Sequence, residues 1–586
     1  YYIKGRTVMR KLLIYLKDYK KESVLAPLFK MLEAIFELFV PLVMSAVIDV
    51  GIKNSDKPYI IKMCLVLVAL GIIGLACSIT AQYFAAKAAC GFATKLRHSL
   101  FDHIQSLSFS EMDTIGTSTL ITRMTSDINQ VQNGVNMTLR LFLRSPFVVF
   151  GSMIMAFTIS VKAAMIFVVA IPLLSAVVFG IMYMSIPLYK NVQSNLDDVL
   201  RITHENLTGS RVIRAFHKED NEIEQFENSN NSLSKLQIYV GKISALMNPI
   251  TYTIINIAIV ALIWTGAIQV NIGNISQGNV VALVNYMSQI LVELVKFANL
   301  IVLINKAIAC GNRVESVFEI NSSLIDPEKP AVVGEKLPDT VVSFDHVSLK
   351  YKNSSQDSLT DITFDVKRGE TIGIIGGTGS GKSSLVNMLP RFYDYTGGQL
   401  KIDGINVKDY AVDDLRNKIG VVMQRAVLFK GTIRENLKWG NPDASDADLM
   451  EALETAQAAD VVQRKENGLD AEVAQGGKNF SGGQKQRLTI ARALVRKPEI
   501  LILDDSASAL DYATDAALRK AIRDMKNSPT VFIVSQRAAS ILYADKIIVL
   551  DDGKVAGIGT HTELLENCPV YQEIYYSQFP KERKEA

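Results

Sequence analysis

The chain is short of cysteine, of histidine and of net charge. Five cysteines in 586 residues, at Cys64, Cys77, Cys90, Cys310 and Cys568, form no CxxC pair and have no histidine at metal-ligand spacing. This excludes a disulfide framework, and buried reduced thiols are the expectation. Lysine and arginine number 62 against 59 aspartates and glutamates, a formal net charge of +3. So small an excess on so long a chain gives no reason to expect nucleic acid as a partner. There is no glycine period of the collagen kind, and at 49% hydrophobic and 21% charged residues the chain is too apolar for disorder. No cleavable signal is expected, because the start is basic and the first long apolar stretch is membrane-length and interrupted by charges. Met9, followed by Arg10 and Lys11, reads as a natural start and sets Tyr1–Val8 aside.

What is present is divided unevenly. Most long apolar runs lie before Lys306, and the remainder reads as an ordinary α/β protein, so a membrane half joined to a soluble half is predicted. A spanning helix needs about 20 mostly apolar residues. Six candidates meet that length: Val24–Val47, Met63–Ala86, Leu141–Val161, Ala163–Tyr189, Ile243–Val270 and Val280–Ile304. The first carries Lys30, Glu33 and Glu37, and the sixth carries Glu293 and Lys296. Lys30, Glu33 and Glu37 fall on one helical stripe. Charges inside a membrane are costly and face protein or water, so these residues, with Glu293, are expected to line a substrate cavity, to form internal salt bridges, or to sit at a helix end outside the lipid.

Basic residues collect in the N-terminal segment (Arg10, Lys11, Lys17, Lys20, Lys21), after the second span (Lys87, Lys95, Arg97, Arg123, Arg140) and after the fourth (Lys190, Arg201, Arg211, Arg214, Lys218). Val270–Gln277, after the fifth, has no charge. Positive loops stay inside, which predicts both termini and both long loops in the cytoplasm. Leu96, Leu100, Ile104 and Leu107 recur at helical spacing. The spanning helices are therefore expected to continue into the cytoplasm and to turn near Asp113–Thr117 and Leu207–Ser210, with contact loops near 111–118 and 206–214.

Asn321–Asp339 is rich in proline and charge and reads as a linker. Beyond it the short apolar strand Ile372–Ile375 runs into Gly376-Gly377-Thr378-Gly379-Ser380-Gly381-Lys382-Ser383, which fits GxxxxGK[ST]. The glycines let backbone N–H groups curl around phosphates. Lys382 is placed to neutralise the β- and γ-phosphates and Ser383 to ligate Mg²⁺. A helix starting near Ser384 would point its positive end at the anion. A second strand, Ile500–Leu503, ends in Asp504 and Asp505. An acid at such a strand end, beside a phosphate loop, is placed to hold Mg²⁺ through water. Between the two lies Phe480-Ser481-Gly482-Gly483-Gln484, read either as a helix cap or as donors to a phosphate.

With SGGQ the chain resembles an ATP-binding cassette (ABC) exporter half-transporter, and the resemblance runs from about Met9 to Phe579. It implies an all-α membrane domain of six spans with long cytoplasmic extensions (type IV), at 9–320. A linker follows at 321–340, then an α/β P-loop ATP-binding cassette at 341–580. It implies ATP and Mg²⁺ as cofactors, with ATP held by Tyr351, Gly376, Thr378, Gly379, Ser380, Gly381, Lys382, Ser383, Ser384 and Gln424. Tyr351 resembles the adenine-stacking aromatic, and Gln424 the glutamine that reaches Mg²⁺ with Ser383 and Asp504. Ser481, Gly482, Gly483 and Gln484 resemble the signature that serves a partner's ATP, and Asp511 belongs to the D-loop.

The sequence departs from the family at three places. The general base after Asp504 is normally Glu and here is Asp505, one methylene shorter. The switch position, normally His, is Gln536, which donates a hydrogen bond but carries no proton or charge. Gln475 stands where exporters usually show Glu. Asp505 and Gln536 together resemble the degenerate half of a heterodimeric bacterial multidrug exporter in the cytoplasmic membrane. Its expected partners are a paralogous half-transporter with Glu and His, membrane lipid and an amphiphilic small molecule. Lipid or peptide export, and an ATP-gated channel or regulator, are the alternatives.

Overall fold

The computed structural model describes residues 11–331, 334, 338–352 and 354–580. Tyr1–Val8, Met9 and Arg10 lie outside them. The chain divides into two compact units. One holds the chain up to Gln105 together with Ser118–Ile320, and the other holds Ser106–Thr117 with everything from Asn321 onward.

The first unit is built on six long helices, Leu13–Ile52, Lys57–Ser106, Thr117–Ile159, Val161–Thr208, Glu219–Asn271 and Gln277–Phe318. Each has at least 40 residues, about 60 Å at 1.5 Å per residue, so each is longer than the ~30 Å hydrocarbon core of a bilayer. The surplus is what the helical spacing of Leu96, Leu100 and Ile104 predicted, and those side chains are buried. Ile61, Leu65, Val68, Ile72 and Leu75 on the second helix are exposed. Such a run is stable against lipid and not against water. Helices approach closely where side chains are small. A Cβ at Gly134 would stand 2.3 Å from the Ala307 methyl carbon, leaving room for glycine alone. The thiols differ from expectation. All five are free, with Cys310 and Cys568 buried, but Cys64 and Cys90, both on the second helix, are exposed.

The first turn also differs. The chain breaks twice, at the extended Ser108 and at Gly116, whose φ of +81° lies in the left-handed region. The short helix Phe109–Ile115 sits between the breaks. Gly116 therefore ends a helix instead of centring a turn. The second turn runs through Gly209 into the helix Ser210–Ala215.

Lys30, Glu33, Glu37 and Glu293 form ion pairs inside the helical unit. Lys30 Nζ donates to Glu33 at 2.5 Å and to Ser78 Oγ at 3.1 Å. Arg144, on the third helix, joins the other two carboxylates, donating to Glu37 at 2.7 Å and to Glu293 at 2.6 Å. Ser145 and Lys296 also donate to Glu293, at 2.8 and 2.9 Å. Breaking a buried pair leaves an uncompensated charge and costs about 3–5 kcal/mol. Arg144→Leu should therefore lower the thermal midpoint of the purified protein sharply, and Arg144→Leu with Glu293→Gln should recover part of the loss. Thermal unfolding in detergent is the check.

In the second unit the strands are β1 (Thr340–Leu349), β2 (Leu359–Lys367), β3 (Thr371–Gly376), β4 (Gly397–Ile402), β5 (Ile405–Asn406), β6 (Ile419–Val422), β7 (Gly431–Thr432), β8 (Glu472–Val473), β9 (Ile500–Asp504), β10 (Thr530–Val534), β11 (Lys546–Asp551) and β12 (Lys554–Gly559). The central sheet has the order β12-β11-β3-β10-β9-β6. Its strands are parallel except β12, which runs antiparallel to β11. Ile500-Leu501-Ile502-Leu503 and Val531-Phe532-Ile533-Val534 are continuous apolar runs, buried throughout, because both faces of the parallel sheet are covered, one by helices and the other by a helix together with β1, β2 and β4. β2-β1-β4-β5 form a separate antiparallel sheet. The carboxyl ends of β3, β9 and β10 lie side by side, and open α/β sheets bind their ligands at that edge.

Candidate functional site

Each of those strand ends delivers one part of the site. β3 leads into the glycine loop, and the next helix begins at Lys382, two residues earlier than the sequence reading placed it, capped by Gly381 at φ +94°. A Cβ at Gly381 would meet Leu359 Cδ2 at 2.6 Å and the Ser358 carbonyl at 2.9 Å, so both the conformation and the space demand glycine. β9 ends in Asp504. β10 ends at Val534, just before Ser535 and Gln536.

A cavity of about 440 Å³ opens here, lined by Thr378, Gly379, Gly381, Lys382, Ser383, Ser384, Gln424, Asp504, Asp505 and Gln536, among others. Gly376 and the buried Ser380 support the loop from behind, with Ser380 Oγ 3.4 Å from Lys382 Nζ. Lys382 Nζ donates to the Gly376 and Gly377 carbonyls at 2.9 and 2.5 Å. Burial pushes its pKa down, while the Asp505 and Asp504 carboxylates oppose this. Burial pushes Asp504 up, against the hydrogen bond from Ser383. Ser383 Oγ donates to Asp504 Oδ1 at 3.0 Å, and Gln424 Nε2 donates to Asp505 Oδ2 at 3.3 Å. Hydroxyl, carboxylate and amide oxygens converging on one cavity suit a hard divalent cation such as Mg²⁺. Asp505 has φ +46°, the left-handed region, which Asp visits more readily than most residues.

The other candidates lie elsewhere. Ser481, Gly482, Gly483 and Gln484 do not line this cavity. Ser481 and Gln484 form a reciprocal capping box, with Gln484 N–H donating to Ser481 Oγ at 3.3 Å and Ser481 N–H to Gln484 Oε1 at 3.0 Å. Ser481 and Gly482 are exposed. Asp511 caps the helix Tyr512–Arg523, accepting from the Thr514 N–H at 2.9 Å. Gln475 lies in a tight 3₁₀ turn, Gln475–Gly477.

Comparison with known proteins decides the family. Residues 23–294 match the model of the ABC transporter transmembrane region, and residues 359–508 match that described as ABC transporter. The ABC transporter ATP-binding protein YfiB of Bacillus subtilis, itself of uncharacterized function, is 35% identical over 99% of this chain and 100% of its own length. The chain belongs to the ABC transporter family. A second Bacillus subtilis relative, the ATP-binding/permease protein YgaD, is named for multidrug export and is 32% identical over 97% of this chain and 99% of its own. The fold is shared with a bacterial Atm1-family ABC exporter solved with ATP bound, at TM-score 0.78 and 23% identity, over 95% of this chain and 99% of that one.

The chain is thus a multi-pass ABC transporter that carries the transmembrane region and the ATP-binding domain of that family on one polypeptide. Two groups of residues in that domain escaped the sequence reading. Ser354, Gln356, Asp357 and Ser358, with Asp552 and Gly553, complete the cavity wall. They carry no motif, although the first four lie in a polar, turn-prone stretch. The second group is aromatic, Tyr393 and Phe392, and it surrounds Tyr351, which the sequence does single out. Tyr351 Oη donates to Ser384 Oγ at 2.9 Å, and its ring meets Tyr393 edge-on at 5.0 Å between centroids. Tyr393 Oη donates to Asp113 Oδ2 at 2.5 Å, and Phe109 packs on Phe392 at 4.7 Å. Burial, then the bond to Asp113, raises the Tyr393 pKa. The turn between the second and third long helices is thereby fixed one side chain away from Tyr351. Aromatic pairs contribute about 0.5–1.5 kcal/mol beyond area burial. Phe109→Ala should therefore cut ATP-dependent transport roughly three- to tenfold, while photolabelling by 8-azido-ATP persists.

Proposed function

We propose that this chain is one subunit of a heterodimeric exporter that uses ATP to move amphiphilic, drug-like small molecules out across the cytoplasmic membrane. Its own ATP site is degenerate, and its signature completes the active site of a paralogous partner carrying Glu and His. The observation that carries this reading is the composition of one cavity. Lys382, Ser383 and Asp504 supply what is needed to bind a triphosphate, but the residues that would act on water are the short Asp505 and the uncharged Gln536.

The chain's residues divide the work as follows. Gly379, Gly381 and Lys382 bind phosphate oxygens, and Tyr351 offers an aromatic face to the base. Ser383, Gln424 and Asp504 would hold Mg²⁺, which when bound supplies positive charge against the phosphates. Asp505 sits where a general base belongs. Its carboxylate stands about 1–1.5 Å back from that of a Glu, and a base must lie within hydrogen-bond reach of its proton. Tight binding with slow hydrolysis follows. Ser481 and Gly482, exposed and outside the cavity, are left for a nucleotide on another cassette. Two apolar surfaces support such an assembly. Leu207, Val212 and Phe216 are exposed around the second cytoplasmic turn, and Met423, Val427, Phe429 and Trp439 are exposed in the cassette.

Coupling to transport requires that ATP bind the closed dimer better than the open one, since a ligand shifts an equilibrium only by its differential affinity. The basic loops support a cytoplasmic placement of the cassette and both termini, and relatedness to YgaD supports the substrate class.

The test is reconstitution in liposomes of this chain with a paralogue bearing Glu and His at the two positions. ATP should drive accumulation of a cationic amphiphilic dye against its gradient. A dye flux that ATP merely gates down the gradient would identify a channel and end the exporter reading.

A further inference from the structure

We propose that Gln578, the last residue of the C-terminal helix, is the positioning residue that sets Gln536 for the γ-phosphate of bound ATP. The proposal rests on the reading of the cavity as an ATP site and adds a residue that no motif contains. The helix Pro569–Gln578 packs on the cassette with Tyr571 and Tyr575 buried. Its end is pinned where the Tyr575 and Phe579 rings meet at 4.8 Å. From that fixed base the Gln578 amide reaches the loop after β10 with both of its functions. Nε2 donates to the Gln536 carbonyl at 2.8 Å, and Oε1 accepts from the Ala538 N–H at 2.9 Å. One side chain thus clamps two peptide groups that flank Arg537.

The residues on either side are held by other means. Ser535 N–H donates to the Ile374 carbonyl at 3.1 Å. Arg537 N–H donates to Ser535 Oγ at 2.9 Å, and Arg537 Nη2 to the Ser508 carbonyl at 3.3 Å. Ser535 is tied to the phosphate-loop strand and Arg537 to the turn after Asp505, so the peptide of Gln536 is the link that Gln578 fixes. Gln536 lines the cavity with Lys382 and Ser383.

The chemistry at position 536 makes this clamp consequential. A protonated imidazole attracts a phosphate over several ångströms through its charge. A neutral amide offers only a directional hydrogen bond, which weakens steeply as angle and distance depart from ideal. A glutamine at the switch position therefore depends on an accurately held backbone, and a two-point contact from a rigid helix supplies it.

The experiment is photolabelling of the full-length chain with 8-azido-ATP, displaced by ATP or by ADP in the presence of Mg²⁺. The ratio of the two displacement concentrations isolates the γ-phosphate. Gln578→Ala, and the shape-conserving Gln578→Met, should lower the ATP-over-ADP preference about tenfold or more, the worth of one hydrogen bond to a charged acceptor. Gln536→Ala should do the same, and adding Gln578→Met to it should change nothing more, because both act through one contact. A wild-type ratio in Gln578→Met overturns the proposal, as does equal weakening of ATP and ADP or a double variant whose effects multiply. An unlabelled wild-type chain would overturn the ATP-site reading along with it.

Discussion

Gly482→Asp in this chain should abolish ATP hydrolysis by the assembled pair, whereas Asp505→Asn should leave it within about twofold. The first effect is electrostatic. A Cβ at Gly482 meets nothing within 4 Å, and Gly482 is exposed, so the new side chain disturbs neither the capping box of Ser481 and Gln484 nor the helix behind it. On the proposed heterodimer reading, it places a carboxylate where the signature meets a phosphate of the partner's nucleotide. Two like charges about 4 Å apart repel by about 4 kcal/mol at an effective dielectric of 20, a loss of about 10³-fold. The second effect is small on the same reading, because Asp505 is one methylene shorter than the usual Glu base. Phosphate release by the co-purified pair decides the matter. If Asp505→Asn were as damaging as Gly482→Asp, the two sites would be equivalent and the asymmetry proposed here would be wrong.

The sequence displays the parts of this machine that are contiguous and hides those that are not. GxxxxGK[ST] is legible because strand, loop and helix follow one another within a few residues, and the apolar strand before Asp504 is legible because a parallel strand is apolar on both faces. The six long helices are legible from the length of their apolar runs. Arg144 was missed although it lies inside a predicted span. Its meaning depends on Glu37 and Glu293, 107 and 149 residues away, and no local pattern connects the three. Lys30, Glu33 and Glu37 share a stripe, as their spacing requires, but the stripe alone does not tell a cavity wall from an ion-pair network. The ends of the turn between the second and third long helices moved because Gly116 closes a helix whose start, at Ser108, carries no glycine or proline. Tyr393 and Gln578 look like ordinary residues at a loop and a helix end. Their roles arise from contacts across 280 and 42 residues of chain, which only the folded molecule assembles.

Asp505→Glu combined with Gln536→His should give this chain an ATP site that turns over. Measured in the Gly482→Asp background, where the partner-side site is silenced, any hydrolysis comes from the cavity around Lys382. General-base catalysis contributes about 10²–10⁴-fold when the base reaches its proton. The Glu side chain adds the methylene that Asp505 lacks, and Gln424, 3.3 Å from the present carboxylate, has room to follow because that contact lies at the open side of the site. One cost opposes the gain. Position 505 has φ +46°, and Glu lacks the short side chain that lets Asp bond its own backbone there, which removes about 1 kcal/mol or roughly fivefold. The balance is a gain of at least tenfold in phosphate release. His at 536 adds a charge that needs less exact placement than the amide, so in the double variant the contribution of Gln578 should shrink. A background that stayed silent after both changes would show that hydrolysis at this site is limited by something other than the base and the switch.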